Sequence, residues 1–315
     1  MMDFRIPVGD WIKAALTWIE DTFQWLFDAL RQMFIWMFDA VDWVFATPPV
    51  WVVIVVIAIA ALLARGWKFA AGAVVGLLFI VGVDQWENAV DSLALVIVAA
   101  FLAVVISIPL GIWAARNDKV SAIVKPIMDF LQTLPAFVYL VPAIFLFRIG
   151  VAPGIIATLI FAMAPGVRLT ELGIRGVDKE VVEAGEAFGA TPRRILRQIQ
   201  IPLAMPSIMA GINQIIMLSL SMVVIAGLVG AGGLGGDVAQ AISALNVGLG
   251  FEAGLSVVVL AILLDRFTAS IGKGEGLYGR WTRRRKVQRE ADEQARLDAR
   301  ELETAGPRRE PGTVV

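Results

Sequence analysis

Cysteine and histidine are both absent from the 315 residues. That removes disulfides, thiol nucleophiles, Cys/His zinc sites and imidazole acid–base chemistry together. Charge is scarce as well. Asp, Glu, Lys and Arg make up 17% of the chain against 58% hydrophobic residues, and mean hydropathy is +0.76. A chain so poor in charge is not an ordinary soluble domain. Met1 to Trp11 lacks a basic stretch followed by an apolar core and a small-residue cleavage site, so no cleaved signal peptide is expected. The formal net charge of −1 hides an asymmetry, with Asp10, Glu20, Asp21, Asp28, Asp39 and Asp42 near the start and Arg280, Arg283, Arg284, Arg285 and Lys286 near the end.

What is present is apolar and aromatic. Trp11, Trp18 and Trp25 recur every seven residues, as do Trp36 and Trp43, roughly on one helical face, yet residues 10–46 carry a charge every few positions. No charge-free run there approaches the roughly 20 residues of a membrane span. The segment reads as an amphipathic helix, either lying in the membrane interface or packed on the rest of the chain or on a second copy; the spacing suits each. Seven spans are expected after Thr47-Pro48-Pro49, at about 50–64, 67–83, 92–115, 133–148, 152–168, 203–229 and 253–271. The first two, joined by Arg65-Gly66, read as a tight helical hairpin. Arg65 and Lys68, then Arg116, Lys119 and Lys125, then Arg168 through Arg197, and then the Arg-rich tail fall on alternate connections. The positive-inside rule then puts the N-terminus outside and the C-terminus in the cytoplasm, with only Arg148 dissenting. The resulting expectation is a multi-pass protein of a bacterial inner membrane, divided into 1–47, two extra spans at 48–83, a core at 84–275 and a charged cytoplasmic tail at 276–315. The basic start of that tail is also suited to anionic lipid headgroups, whereas no nucleic-acid partner is expected.

The polar connection 176–202 has a distinct build. Asp178 to Ala187 reads as a short helix with acids near its N-terminus. Gly189 suits a left-handed cap, and Thr191-Pro192 reads as an N-cap followed by Pro at the first helical position of a second helix, Arg193 to Gln198. Pro202 is expected to end that helix. The product is an elbow with a small-residue corner, able to sit in a cleft of a soluble partner.

Elsewhere Gly230-Ala231-Gly232-Gly233-Leu234-Gly235 matches the dinucleotide fingerprint, but it follows a long apolar run rather than a short strand. A re-entrant turn is the better reading. Asn213, Gln214, Ser219 and Ser221 lie at membrane depth, where a substrate path and helix–helix hydrogen bonding are both served by such residues. No carboxylate lies in the middle of spans three to six, so a proton relay is not supported. Phe130, Phe137 and Tyr139 offer aromatic faces to a cationic substrate. Neither a nucleophile–base set nor a metal cluster is visible, so the chain does not read as an enzyme.

Glu183-Ala184-Gly185, three residues, Gly189, nine residues, Ile199 and then Pro202 resemble the loop by which permease subunits of bacterial ABC importers dock onto their ATPase. Gly185 stands where that pattern has a second Ala, and Ile201 where it has Leu. Gln132-Thr133-Leu134-Pro135-Ala136-Phe137-Val138-Tyr139-Leu140-Val141-Pro142 and the stretch Met222 to Gly236 narrow the resemblance, over about 85–272, to permeases of the glycine betaine/proline betaine/choline importers. The resemblance implies an all-α, polytopic type I importer permease fold of about seven transmembrane helices. It implies a homodimer with two cytoplasmic ATPase subunits, which hold the ATP and Mg while this chain binds no cofactor, and an external substrate-binding protein. Glu183, Ala184, Gly185, Gly189, Ala190, Arg193, Arg194, Ile199 and Pro202 would carry the coupling. Asn213, Gln214, Ser219, Ser221, Phe137 and Tyr139 are candidates for the path. Substrates would be glycine betaine, proline betaine, choline or trimethylamine N-oxide. The alternatives are an ABC permease for methionine or another amino acid, and an ATP-independent carrier or channel.

Overall fold

The computed structural model describes residues 7–273; the tail expected over 276–315 lies outside them. The described residues form helices and no strand. The first helix, α1 (Val8–Ala46), is kinked at Phe23, whose φ of −117° and ψ of 22° leave the helical region. Its second half packs through Phe27, Leu30, Phe34 and Phe38, while Trp11, Trp18, Trp25, Trp36 and Trp43 stay 62–69% exposed. One face of this helix is therefore packed on the rest of the chain, while its tryptophan face is open.

Helices α2 (Val50–Arg65) and α3 (Trp67–Gly82) form the expected hairpin. Gly66, at a φ of +97°, makes the turn between them. The centre is a bundle of α4 (Trp86–Arg116), α7 (Val151–Arg175) and α10 (Ile201–Gly227), in which α7 packs more extensively on α10 and on α4 than any other pair among the described helices. Small residues permit the approach. A Cβ at Gly166 would lie 2.4 Å from Ser107 Oγ, and one at Gly111 would lie 2.7 Å from the Val167 carbonyl oxygen. Around the bundle lie α5 (Asp118–Thr133), α6 (Ala136–Phe147), α11 (Gly233–Ala244) and α12 (Val247–Lys273).

Hydropathy located the apolar segments but not how they break. Among the described residues four helices are long and apolar enough to cross a membrane, or up to six if each bent pair counts as one span. The bent pairs are α1 with α2, at 95°, and α5 with α6, at 97°; α3 is a shorter apolar helix. At 16 residues, α2 and α3 each rise roughly 24 Å, short of a hydrocarbon core of about 30 Å. The span expected at 133–148 is the 12-residue α6, preceded by α5, a helix where the sequence suggested a connection. Arg148, the cation that dissents among the connections between spans, has Nη2 3.3 Å from Asp28 Oδ1 of α1.

Candidate functional site

The elbow begins three residues beyond the end of α7. Asp178 caps α8 (Lys179–Ala187), its carboxylate accepting from the Glu180 N–H at 2.9 Å. Gly189 adopts a φ of +75°, and its N–H donates to the Glu186 carbonyl at 2.8 Å while that of Ala190 donates to the Gly185 carbonyl at 3.1 Å. These bonds satisfy the last carbonyls of the helix, as a left-handed glycine cap does. Thr191 sits at the next N-cap with extended backbone, but its hydroxyl makes no capping bond; its carbonyl accepts from the N–H groups of Arg194 and Ile195.

Pro202 does not end the second arm. Helix α9 (Pro192–Ile195) runs through a π-helical segment, Leu196–Gln200, directly into α10. Proline lacks an N–H, and its ring collides with the carbonyl four residues back in an α-helix. The Ile201 N–H reaches five residues back to the Leu196 carbonyl, and this wider turn accommodates the ring without breaking the helix.

The arms close on each other through apolar contacts. Ile195 and Leu196 are buried, and Leu196 clusters with Ile174, Ala204 and Ile208. A Cβ on Gly185 would stand 2.7 Å from Ile199 Cδ1, so glycine lets α8 approach the second arm. Gly185, Ala190 and Ile199 are half-buried inside the elbow, whereas Glu183, Ala184, Gly189, Arg193, Arg194 and Pro202 are exposed. Phe188, which the sequence reading passed over, is 92% exposed at the corner. It is the C-cap residue of α8, and hydrophobicity alone gave no sign of its exposure. Behind α8 lies a cleft of about 650 Å³ lined by Glu183, Glu186, Lys179, Arg116 and Arg175.

A second residue missed by hydropathy sits at the elbow's root. Glu171 is 3% exposed, with Lys125 Nζ at 3.2 Å, Arg175 Nε at 2.9 Å and the Ser121 hydroxyl donating at 2.7 Å. The available signal was the Glu171/Arg175 pair at i,i+4, one turn beyond the assumed end of the span.

The candidate path residues divide. Gln214 and Ser221 share an exposed face of α10 with Met217, and the Ser221 hydroxyl donates to the Met217 carbonyl at 3.1 Å. Asn213 bridges to α12: its amide donates to Asp265 Oδ1 at 3.3 Å, and its Oδ1 accepts from the Thr268 hydroxyl at 2.5 Å. Ser219 is buried, and its hydroxyl makes no hydrogen bond. Phe130 and Phe137 are exposed, whereas Tyr139 is buried beside Leu140, Ala157 and Met222, with its ring 6.5 Å from that of Phe161.

The glycine-rich segment turns α10 into α11. Gly230, Gly232 and Gly233 have φ of +79°, +75° and +61°. A Cβ at Gly227 would lie 2.0 Å from the Gly235 carbonyl carbon, and one at Gly235 2.1 Å from the Val223 oxygen, so the two helices cross backbone on backbone. The preceding element is helix, which removes the strand that a dinucleotide fingerprint requires. The Leu234 N–H donates to Ser92 Oγ at 2.9 Å, and Gln85 and Asn88 each donate to Asp237 Oδ2 at 2.8 Å, fixing α11 to the start of α4. Among the described residues no group of three or more His, Cys, Asp or Glu could hold a metal ion.

Comparison with known proteins places this geometry in context. Residues 107–274 match the family model described as binding-protein-dependent transport system inner membrane component. The glycine betaine/carnitine transport permease protein GbuB of Listeria monocytogenes is 43% identical over 272 residues, covering 85% of this chain and 96% of that protein. The glycine betaine/proline betaine transport system permease protein ProW of Escherichia coli is 41% identical over 278 residues, 88% of this chain and 78% of that protein. An inward-facing structure of the MetNI methionine ABC transporter aligns with a TM-score of 0.56 at 24% identity, over 61% of this chain and 95% of that one. At that identity the likeness speaks for the fold alone.

Proposed function

Because the chain belongs to the family of binding-protein-dependent transport system inner membrane components, we propose that it is the permease of an ATP-driven importer for betaine-type quaternary ammonium solutes. Two copies of the chain form the pore, two cytoplasmic ATPase subunits bind the elbows, and an external binding protein delivers substrate. The observation that carries this reading is the elbow itself: a capped, rigid corner exposing Glu183, Phe188, Arg193 and Arg194. Exposed aromatic and charged side chains on a rigid corner are what a docking surface needs.

The distribution of cations supports an inward-facing elbow. Arg65, Lys68, Arg116, Lys119, Lys125 and Arg168 through Arg197 share one side under the positive-inside rule, and Arg148, in a connection on the other side, pairs with Asp28. The Trp face of α1 meets membrane lipid in the interface.

Continuity of the second arm with α10 supplies a mechanism. When the ATPases close, they draw the elbows together, and each arm moves as one body with the helix it continues into. Gln214, Met217 and Ser221 lie on the exposed face of that helix and move with it. Binding energy at the elbow thereby becomes a shift between inward- and outward-facing states. The chain carries out no hydrolysis; nucleotide and Mg belong to the partner.

The test is uptake of labelled glycine betaine into proteoliposomes with ATPase and ATP inside and binding protein outside. Choline, trimethylamine N-oxide and methionine serve as unlabelled competitors. Uptake that needs ATP and is suppressed by choline or the N-oxide meets the expectation. ATP-dependent uptake suppressed only by methionine would reassign the substrate, and uptake indifferent to ATP would remove the importer reading.

A further inference from the structure

Proline at position 165 of α7 has no N–H, so the carbonyl of Phe161, four residues earlier, has no helical donor. The Gln132 side chain supplies one: Nε2 donates to the Phe161 oxygen at 2.8 Å. Gln132 lies one residue before the end of α5, and α6 departs from α5 at 97°. The bend after α5 is thus pinned to the proline turn of α7.

This bond is the last rung of a ladder. Running antiparallel, α5 meets α7 through Asp118 with Arg175 at 2.7 Å, then Ser121 and Lys125 with Glu171, then Asp129 with Arg168, then Gln132 with Phe161. Positions 118, 121, 125, 129 and 132 recur at three- and four-residue spacing, one stripe of a helix. Beside it Val124 and Met128 pack on Ala164 and Val167. The rungs differ in weight. Asp118 and Asp129 are exposed, where ion pairs contribute little. Glu171 and Ser121 are buried, and Gln132 is half-buried. The buried carboxylate is met by Lys125 and the Ser121 hydroxyl from α5 and by Arg175 of its own helix, so separating α5 from α7 removes two of its three partners.

The elbow starts three residues beyond Arg175, and α6 starts four residues beyond Gln132. We propose that Gln132 and Glu171 are positioning residues of the transport cycle: they lock α5 to α7 so that displacement of the elbow reaches α6 as well as α10. The inference rests on the importer reading above. It gives the elbow two outputs, one through the continuous helix and one through the ladder.

Glu171→Gln keeps the side-chain shape and removes the charge; Gln132→Leu removes the donor to the Phe161 carbonyl. Each is assembled with its ATPase in proteoliposomes, and hydrolysis and glycine betaine uptake are measured on the same vesicles. Hydrolysis within about twofold of the parent, with at least about tenfold less substrate moved per ATP, is expected for both. The double variant is expected to be no lower than the weaker single, since both act on one lock. Gln132→Leu carries the decision where Glu171→Gln fails to assemble. Uptake and hydrolysis falling together in proportion to assembled transporter would reduce the ladder to a structural brace and overturn the proposal. Parental uptake per ATP would overturn it as well. If the parent itself takes up substrate without ATP, the importer reading fails and this inference falls with it.

Discussion

Two glycine-bearing turns in this chain use glycine for opposite ends. At the elbow, Gly189 has a φ of +75° and nothing within 4 Å of where a Cβ would stand, so its glycine is conformational and its surroundings are open. At the turn from α10 to α11, Gly227 and Gly235 stand where any Cβ would strike backbone at 2.0 and 2.1 Å. At those two positions glycine is steric and the surroundings are closed, although Gly230, Gly232 and Gly233 between them also take positive φ. One turn leaves its corner open, as the proposed docking requires; the other is built so that the chain can touch itself.

That contrast is broken most severely at Gly235. Gly235→Ala drives a methyl into the Val223 carbonyl, an overpacking that costs about 1–3 kcal/mol or more and has no flexible neighbour to absorb it. Loss of monodisperse protein on size-exclusion in detergent is expected; parental yield and melting temperature would show that the two helices separate freely. Glu183→Lys comes next in effect on transport, with no expected effect on insertion, because the side chain is exposed. ATP-dependent uptake should fall by about tenfold or more, the scale of losing a central docking contact; parental uptake would remove the coupling role.

Phe188→Ala sharpens the docking side of the comparison. A 92% exposed ring adds nothing to the fold of the chain, so melting should not change while affinity for the ATPase drops about tenfold in a pull-down titration. An unchanged affinity with lowered melting would assign the ring to the fold instead. Gly189→Val places a β-branched residue in the left-handed region, a local strain of about 1–3 kcal/mol. It should reduce uptake while leaving the membrane bundle intact, as judged by unchanged melting. Gly185→Ala is expected to do least. Its methyl meets the mobile end of Ile199, so uptake within about twofold of the parent is predicted. A large loss there would mean that the arms cannot shift even by a few tenths of an ångström.

Legibility in the sequence followed the range of the interaction concerned. The cap at Gly189 was readable because it involves residues at most five apart, and Asp178, read as the first residue of the helix, proves to be its N-cap one position earlier. The apolar helices were readable from hydropathy summed along the chain. Their breaks were not, because a 12-residue apolar helix and half of a longer one have the same composition. Pro202 misled for a related reason: proline reports a missing donor, and whether the helix stops or widens depends on its neighbours. Among the path candidates, Asn213 and Ser219 were indistinguishable from Gln214 and Ser221 by polarity; burial against α12 or within the bundle separates them.

The sequence by itself determined an all-helical membrane chain, an elbow with small residues at its corner, and the motifs that mark the importer permease family. Only the tertiary structure decided that the second arm continues into α10, that Gly227 and Gly235 meet backbone to backbone, and that Gln132 completes the carbonyl left open by Pro165. The reason is the same in each case. Capping and hydropathy are settled between near neighbours, whereas a stranded carbonyl or a buried carboxylate is satisfied by whatever side chain the fold brings to it. For Phe161 and Glu171, those partners lie 29 and 50 residues away.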